Sequence, residues 1–159
     1  PGLKWVNDVL LGEKKICGIL TESVLGGATK GTFVVLGIGI YGNTDPSQFP
    51  SEVAQVATSI AAETGTAADL EALAASLLGR IYALREGFPG NVPRYRARYE
   101  ERLETLGQTV TFLEDASGTP YTVLGLDERF GLRIVGPDGA ERTLCSGEVS
   151  VRQIKKDGH

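Results

Sequence analysis

The hydrophobic pattern of this chain changes near residue 107, and that change limits the folds open to it. Upstream, a continuous apolar run, TFVVLGIGIY (32–41), suits a central strand covered on both faces. It precedes three segments with apolar residues at helical spacing. Downstream, five short alternating runs are separated by glycine-containing turns. The pattern predicts an α+β chain, with a partial mixed sheet and packed helices over 1–106 and a small β-barrel over 107–156. The predicted helices cover 51–65, 69–87 and 92–107. Gly65 is expected to end the first, Asp69 can cap the second, and Pro93 suits the first turn of the third.

Composition narrows the class of protein. Hydrophobic residues are 42% and charged residues 23% of the chain, which predicts an ordinary packed core. The net charge of −4 argues against binding nucleic acid through its phosphates. No apolar run is long enough for a membrane span. Cys17 and Cys145 lack metal-ligand spacing, so two buried free thiols in a reducing cytoplasm are expected.

The charged residues of the first 22 positions raise a functional question. Residues 3–11 and 15–22 alternate around a glycine turn and predict a β-hairpin. Lys4 and Asp8 share a face of the first arm, and Lys15 stands on the second arm. The three side chains together would suit a phosphate or carboxylate, with Asp8 able to hold a divalent cation. A solvated edge whose lysines oppose aggregation is the alternative, and charge alone leaves both open.

Glycines give a second signal. Gly18 lies inside a predicted strand, and Gly37 and Gly39 share one face of the apolar run. The three would form a floor without side chains, on which a ligand could lie; a bulge or a close helix contact would explain them equally well. The single histidine, His159, is terminal, so histidine-based nucleophilic or metal chemistry is not expected.

Four segments carry a resemblance to a known family. KWVNDVLLGEKKICGILTE (4–22), VVLGIGI (34–40), ATSIAAETG (57–65) and GEVSVR (147–152) occur in the order found in biotin–protein ligases. The resemblance covers essentially the whole chain. It implies that 1–106 is the second half of a class II synthetase-like catalytic domain, and that the barrel is the SH3-like C-terminal module.

The family's reaction follows from the resemblance. Biotin and ATP give biotinyl-5′-AMP with the help of Mg²⁺, and the biotinyl group then passes to a lysine of a biotin carboxyl carrier protein. Lysines and a metal ion that disperse phosphoryl charge can perform such a reaction without a covalent enzyme intermediate. This fits a chain that lacks a histidine-activated nucleophile.

The resemblance also implies roles for individual residues. Lys15 would contact the biotin carboxylate and the α-phosphate, and it is the main catalytic candidate, with Lys4 the second. Asn7 and Asp8 would lie near the phosphates, with Asp8 as the Mg²⁺ ligand. The remaining candidates bind biotin or the adenylate: Gly18, Gly37 and Gly39 as the biotin floor, Tyr41 beside the nucleotide, and Glu148 and Arg152 from the barrel.

Three departures from the family pattern bear on the site. Val6 replaces a proline of the family motif. Tyr41 replaces an asparagine beside the nucleotide, so it would either stack on adenine or spoil the site, with Asn43 as a substitute. The glycine- and arginine-rich loop that closes over the adenylate belongs upstream of residue 1, so this chain is expected to carry only part of the site.

Two other interpretations stay open. Tyr41 gives some weight to a degenerate, non-catalytic module that binds a carrier protein or another subunit. A lipoate-type ligase relative would share the catalytic fold, although the GEVSVR segment favours biotin. Dimerisation of the chain is compatible with each interpretation.

Overall fold

A computed structural model describes residues 1–24, 33–112, 117–145 and 151–153. Residues 151–153 are described by their backbone alone. The strands are β1 (Gly2–Lys4), β2 (Asp8–Leu11), β3 (Lys14–Val24), β4 (Phe33–Ile40), β5 (Thr109–Phe112), β6 (Tyr121–Leu126), β7 (Leu132–Val135), β8 (Glu141–Leu144) and β9 (Val151–Gln153). The helices are α1 (Ser51–Ala54), α2 (Ile60–Thr64), α3 (Leu70–Gly87) and α4 (Val92–Glu100). Among the described residues, no helix combines the length and apolar character that crossing a bilayer requires.

Backbone proximity divides the chain into two compact units. The first holds Pro1–Gly2 and Asn7–Ile81, and the second holds Leu3–Val6 and Tyr82–His159. The second unit therefore includes the end of α3 and all of α4 in addition to the five C-terminal strands. The functional boundary at residue 106 stays a prediction from the sequence.

The first unit is built on the predicted hairpin, but its first arm is β2 alone. A turn at residues 5–7 separates β2 from β1, so the single arm predicted over 3–11, with Lys4 and Asp8 on one face, is wrong. Strands β2 and β3 pair antiparallel across the turn at Gly12, whose φ of 61° favours glycine. Strand β4 then pairs antiparallel with β3. The β2–β3 and β3–β4 pairings are antiparallel, and the parallel pairings among the described residues are isolated bridges, so the mixed sheet expected from the sequence is antiparallel in these two strand pairs.

The apolar strand β4 is not the central strand predicted from its composition. It is the last strand in the order of its sheet. Val34 and Val35 point to opposite faces and are 65% and 51% exposed. The prediction assumed cover on both faces, and the described residues do not supply that cover.

The prediction of one continuous helix over 51–65 is wrong at residues 55–59. The segment forms two short helices, α1 and α2, separated by a turn at residues 55–56 and a bridging residue, Ala57. Ser59 caps α2 by accepting a hydrogen bond from the N–H of Ala62 at 3.2 Å. Gly65 ends α2 in the left-handed region, with φ of 70°, as predicted. Ala57, between the two helices, pairs with Lys15 of β3. The helical spacing of the apolar residues did not indicate this pairing.

Helices α3 and α4 follow the sequence more closely. Asp69 accepts a hydrogen bond from the N–H of Ala72 and so caps the start of α3, as predicted. Leu73, Leu77 and Ile81 form its half-buried stripe. Helix α4 carries a proline in its first turn, as predicted, and ends at Glu100 rather than at residue 107.

The second unit contains all five strands predicted after residue 107. They form one antiparallel sheet in the order β8-β7-β6-β5-β9. Trp5 is 3% exposed in its core and donates from Nε1 to the carbonyl of Phe130 at 2.9 Å. The rest of the buried core consists of Leu103, Val110, Val123, Leu126, Leu132 and Ile134.

Candidate functional site

A row of three residues crosses the first sheet at its centre. Gly18 of β3 pairs with Asp8 of β2 on one side and with Gly39 of β4 on the other. Paired residues of an antiparallel sheet point to the same face, and Gly37 joins this face two residues before Gly39. The expected glycine floor is therefore present, with the Asp8 carboxylate at its edge.

Lys15 reaches this face through a β-bulge. The β2–β3 register shifts between Val9 and Leu10, so that Cys17 pairs with Val9 while Lys15 pairs with Leu10. Simple alternation would place Lys15 on the face opposite Gly18. The extra residue in β3, Ile16, turns the lysine side chain onto the face of Asp8 and Gly18.

The ammonium group of Lys15 lies over Gly18 and beside Asp8. Lys15 Nζ is 2.6 Å from Asp8 Oδ1, with side-chain exposures of 35% and 20%. A Cβ atom at Gly18 would lie 3.1 Å from both Cε and Nζ of Lys15. Because Gly18 has no side chain, the Lys15 side chain can lie across the surface of the sheet at this position and reach Asp8. The Lys15 side chain, the more exposed of the two, remains accessible to an anionic ligand.

The backbone of Lys15 is held by the segment between α1 and α2. Its N–H donates to the carbonyl of Val56 at 2.8 Å, and its carbonyl accepts from the N–H of Thr58 at 2.9 Å. Ala57, Thr58 and Ser59 are almost fully buried. The sequence pattern did not indicate that this segment supports the site, although the segment lies within the ATSIAAETG motif.

Tyr41 lies at the end of the glycine face. Its N–H donates to the carbonyl of Ile16 at 2.8 Å, and its carbonyl accepts from Ile60 at 2.9 Å. Its ring packs on Phe49, with centroids 4.7 Å apart and planes tilted by 50°. Phe49 was not among the residues selected from the sequence, and nothing in its local pattern marked it.

Asn43 is engaged elsewhere. Its side-chain amide donates to the carbonyl of Ala68 at 2.9 Å and accepts from the N–H of Ala68 at 2.7 Å. This paired contact ties the loop after β4 to the residues before α3. The amide therefore has a structural partner on both its oxygen and its nitrogen, which disfavours Asn43 as a stand-in for the family's asparagine.

The other predicted site residues are distributed as follows. Asn7 donates from its amide to the carbonyl of Ile19 at 2.8 Å and so fastens the two arms of the hairpin. Lys4 belongs to the second unit, next to the buried Trp5. Glu148 lies outside the described residues, and Arg152 is described by its backbone, which pairs with Thr111. The site built from described residues thus contains Asp8, Lys15, Tyr41 and the three glycines.

The two cysteines differ in environment. Cys17 is buried, as predicted, whereas Cys145, at the end of β8, is exposed, contrary to the prediction. Burial raises the pKa of the Cys17 thiol; the nearby Lys15 ammonium opposes this effect and the Asp8 carboxylate adds to it. Both thiols are free.

We expect the two thiols to react at very different rates with a disulfide reagent near pH 8. Cys145 should react quickly, and Cys17 at least about tenfold more slowly, because it is buried and its raised pKa keeps it protonated. Following thionitrobenzoate release over time checks this. The Cys145→Ser variant should retain the slow phase alone, and both thiols should react quickly in denaturant. Two equally fast thiols in the folded protein would contradict the burial of Cys17.

The residues of the site fit a nucleotide-bound metal better than a dedicated metal centre. Within the described ranges, no three His, Cys, Asp or Glu side chains gather closely enough to hold an ion. Magnesium in nucleotide sites typically takes one or two carboxylates and completes its shell with phosphates and water. Asp8, partly exposed at the edge of the glycine face, can supply one such carboxylate.

Three curated proteins that this chain resembles are named as ligases, although no family model matches the sequence. The chain is 40% identical over 67 residues to the bifunctional ligase/repressor BirA of Bacillus subtilis, a match that covers 42% of this chain and 20% of that protein. It is 36% identical over 109 residues to the biotin–[acetyl-CoA-carboxylase] ligase of Mycobacterium tuberculosis, covering 69% and 37%. With BirA of Escherichia coli it shares 28% identity over 156 residues, covering 97% and 47%.

Solved structures give the same result. The biotin protein ligase of Aquifex aeolicus in complex with biotin and ATP matches with a TM-score of 0.79 and 29% identity, covering 96% of this chain and 62% of that one. Its apo structure matches with a TM-score of 0.80. The chain spans less than half the length of the curated relatives it matches.

Proposed function

We propose, from its similarity to biotin protein ligases, that this chain carries part of the site that activates biotin with ATP and passes it to a biotin carboxyl carrier protein. The Mycobacterium tuberculosis relative is a biotin–[acetyl-CoA-carboxylase] ligase and the Aquifex aeolicus structure is a biotin protein ligase, which favours biotin over lipoate as the acid. The relative of known structure in complex with biotin and ATP has the same fold over nearly all of this chain.

One observation carries the proposal. The Lys15 ammonium lies directly over Gly18 and beside the Asp8 carboxylate, at the edge of a face lined by glycines. Such a face accepts a flat ligand in contact with the backbone, and the ammonium meets an anion at its edge. A solvated edge lysine would not need a bulge, a glycine beneath it and a clamped backbone to hold its position.

The proposed mechanism assigns the charge stabilisation to Lys15. In the first step a carboxylate oxygen of biotin attacks the α-phosphorus of ATP, and pyrophosphate leaves. The Lys15 ammonium would hold the carboxylate against the phosphoryl oxygens, on which negative charge builds up. In the second step the amine of the acceptor lysine attacks the acyl carbon, and AMP leaves with the bonding electrons.

Asp8 is the proposed residue for Mg²⁺. The ion, bound to Asp8 and phosphate oxygens, would neutralise part of the charge of the triphosphate. Asp8 also fixes the Lys15 ammonium, because the two side chains are in direct contact. The aspartate is thus proposed to orient the lysine in addition to holding the metal.

The remaining assignments are proposals that rest on the family. Lys4 and Asn7 would lie near the phosphates, and Glu148 and Arg152 would approach the nucleotide from the C-terminal module. We propose that this module is an SH3-like barrel over 107–156 and that the catalytic part is class II synthetase-like. A cytoplasmic location and a homodimer are compatible with this function.

Replacing Gly18 with alanine tests the proposal. The new Cβ would displace the end of Lys15 by a few tenths of an ångström, which a flexible side chain allows without unfolding the sheet. In the full-length protein that carries this sequence, transfer of biotin to a carrier protein should fall about 10- to 100-fold, because the charge would be misplaced. A streptavidin blot of the carrier protein after timed incubation with biotin and ATP measures it.

The matched control is Gly79→Ala in α3. A Cβ at Gly79 meets no atom within 4 Å, and alanine favours helix, so this variant should keep full activity. If the parent protein transfers no biotin, the proposed function is wrong. If Gly18→Ala is as active as Gly79→Ala, the ligand does not use this face.

A further inference from the structure

The bulge that directs Lys15 toward Asp8 has backbone partners outside β2. The N–H of Lys15 donates to the carbonyl of Val56 at 2.8 Å, and its carbonyl accepts from the N–H of Thr58 at 2.9 Å. In a strand without the bulge, the backbone groups of Lys15 would turn to the opposite edge and lose both partners, because successive residues alternate. These two hydrogen bonds therefore favour the bulged register, in which the lysine faces Asp8.

The connection between α1 and α2, residues 55–59, is also fixed on its other side. The first two N–H groups of α2 donate to the carbonyls of residues 41 and 42, each at 2.9 Å. The hydroxyl of Ser59 accepts from the N–H of Ala62 at 3.2 Å, so the first three N–H groups of this helix all have partners. The connection is thus fastened to β3 on one side and to the residues after β4 on the other.

We propose that Ser59 is a positioning residue for Lys15 and that it acts by holding this connection against the bulge. Without the cap, the first turn of α2 would loosen, and with it the N–H of Thr58, the residue directly before the cap. Part of the population would then adopt the regular register, with the lysine ammonium on the face opposite Asp8. Ser59 is 0% exposed, so it acts on the reaction only through Lys15. This inference rests on the proposed function of that lysine.

Zero-length cross-linking reports the place of the Lys15 ammonium without any measurement of activity. A water-soluble carbodiimide joins a carboxylate and an amine in direct contact, and Lys15 Nζ lies 2.6 Å from Asp8 Oδ1. An amide forms between Asp8 Cγ and Lys15 Nζ, and the water that is lost hydrates the carbodiimide to a urea. Trypsin does not cleave after an acylated lysine, so digestion yields residues 5–14 joined to the peptide that begins at Lys15. Mass spectrometry with a labelled standard measures its yield.

Ser59→Ala should lower the yield of this cross-link about 2- to 5-fold, because loss of the cap lets the regular register be populated. Ala57→Gly should lower it in the same direction, since it loosens the residue that bridges to Lys15 and leaves the cap in place. Asp69→Ala is the matched control. It removes the corresponding cap of α3, where Asp69 accepts from the N–H of Ala72 at 3.0 Å, and the yield should stay at the wild-type value.

The kinetic effect should follow the cross-link. In the full-length protein that carries this sequence, Ser59→Ala should lower kcat of biotin-dependent pyrophosphate exchange about 2- to 5-fold. The KM for ATP should change by less than about twofold, because the misplaced charge acts mainly on the transition state. Asp69→Ala should change neither constant.

The outcomes separate this inference from the proposed function. If Ser59→Ala gives the cross-link at the wild-type yield, or if Asp69→Ala lowers the yield equally, the positioning inference is overturned and the ligase function is not. If the yield falls while exchange is unchanged, the role proposed for Lys15 in the reaction is overturned. If the wild type gives no cross-link, the bulged register is not the one in solution, and the positioning inference is overturned.

Discussion

The Lys15→Ala variant of the full-length protein should lose biotin-dependent ATP–pyrophosphate exchange, by about 100- to 1000-fold. The ammonium of Lys15 is the positive charge that the glycine face presents, and it is held in place by Asp8 at 2.6 Å. Alanine removes that charge from the atoms on which negative charge develops. Exchange of labelled pyrophosphate into ATP, with and without biotin, measures the first step alone.

The fold should survive this substitution. The Lys15–Asp8 pair is only partly exposed, so removing the lysine should cost about 1–2 kcal/mol, well below the stability of an ordinary domain. The backbone hydrogen bonds of Lys15 to Val56 and Thr58 do not depend on its side chain. A loss of activity with an unchanged unfolding transition would therefore report chemistry rather than folding.

Lys14→Ala is the matched control, because Lys14 is exposed beside the hairpin turn, next to Lys15 in sequence. It should exchange pyrophosphate at the wild-type rate. Wild-type exchange by Lys15→Ala would show that the lysine belongs to a solvated edge, and the proposed mechanism would then be wrong.

Trp5→Ala should destabilise the second unit by about 3–5 kcal/mol, the cost of removing a large buried aromatic side chain. Trp5 is 3% exposed and packs in the core of that unit, and its Nε1–H donates to the carbonyl of Phe130. The truncation leaves both a cavity and a buried carbonyl without its donor. Urea denaturation followed by far-ultraviolet circular dichroism measures the change without relying on tryptophan fluorescence.

Two further variants separate the cavity from the hydrogen bond. Trp5→Phe keeps most of the ring and removes the donor, so it should cost about 1–3 kcal/mol. Tyr82→Ala, at an exposed position, should change the unfolding free energy by less than about 0.5 kcal/mol. A Trp5→Ala protein as stable as the Tyr82→Ala protein would place the tryptophan outside the core.

Local pattern predicted much of the secondary structure. The hairpin turn at Gly12, the cap at Asp69, the stop at Gly65 and the five C-terminal strands all lie where glycine, aspartate and two-residue alternation indicated. These features depend on neighbours in sequence, which is why one sequence suffices to find them. The helix predicted over 51–65 is interrupted because Val56 and Thr58 form backbone hydrogen bonds with Lys15 of β3. The spacing of apolar residues within the segment carries no information about that distant partner.

The sequence is sufficient to identify the residue types of the site: a lysine, an aspartate and three glycines in a motif typical of biotin–protein ligases. That Lys15 and Asp8 face the same way depends on the tertiary structure. Alternation alone would separate Lys15 from Gly18, and the bulge at Ile16, a property of how two strands pair, reverses that assignment. The same is true of Phe49, whose contact with Tyr41 joins a strand end to a loop. Such contacts arise from the pairing and packing of segments, and so no local pattern contains them.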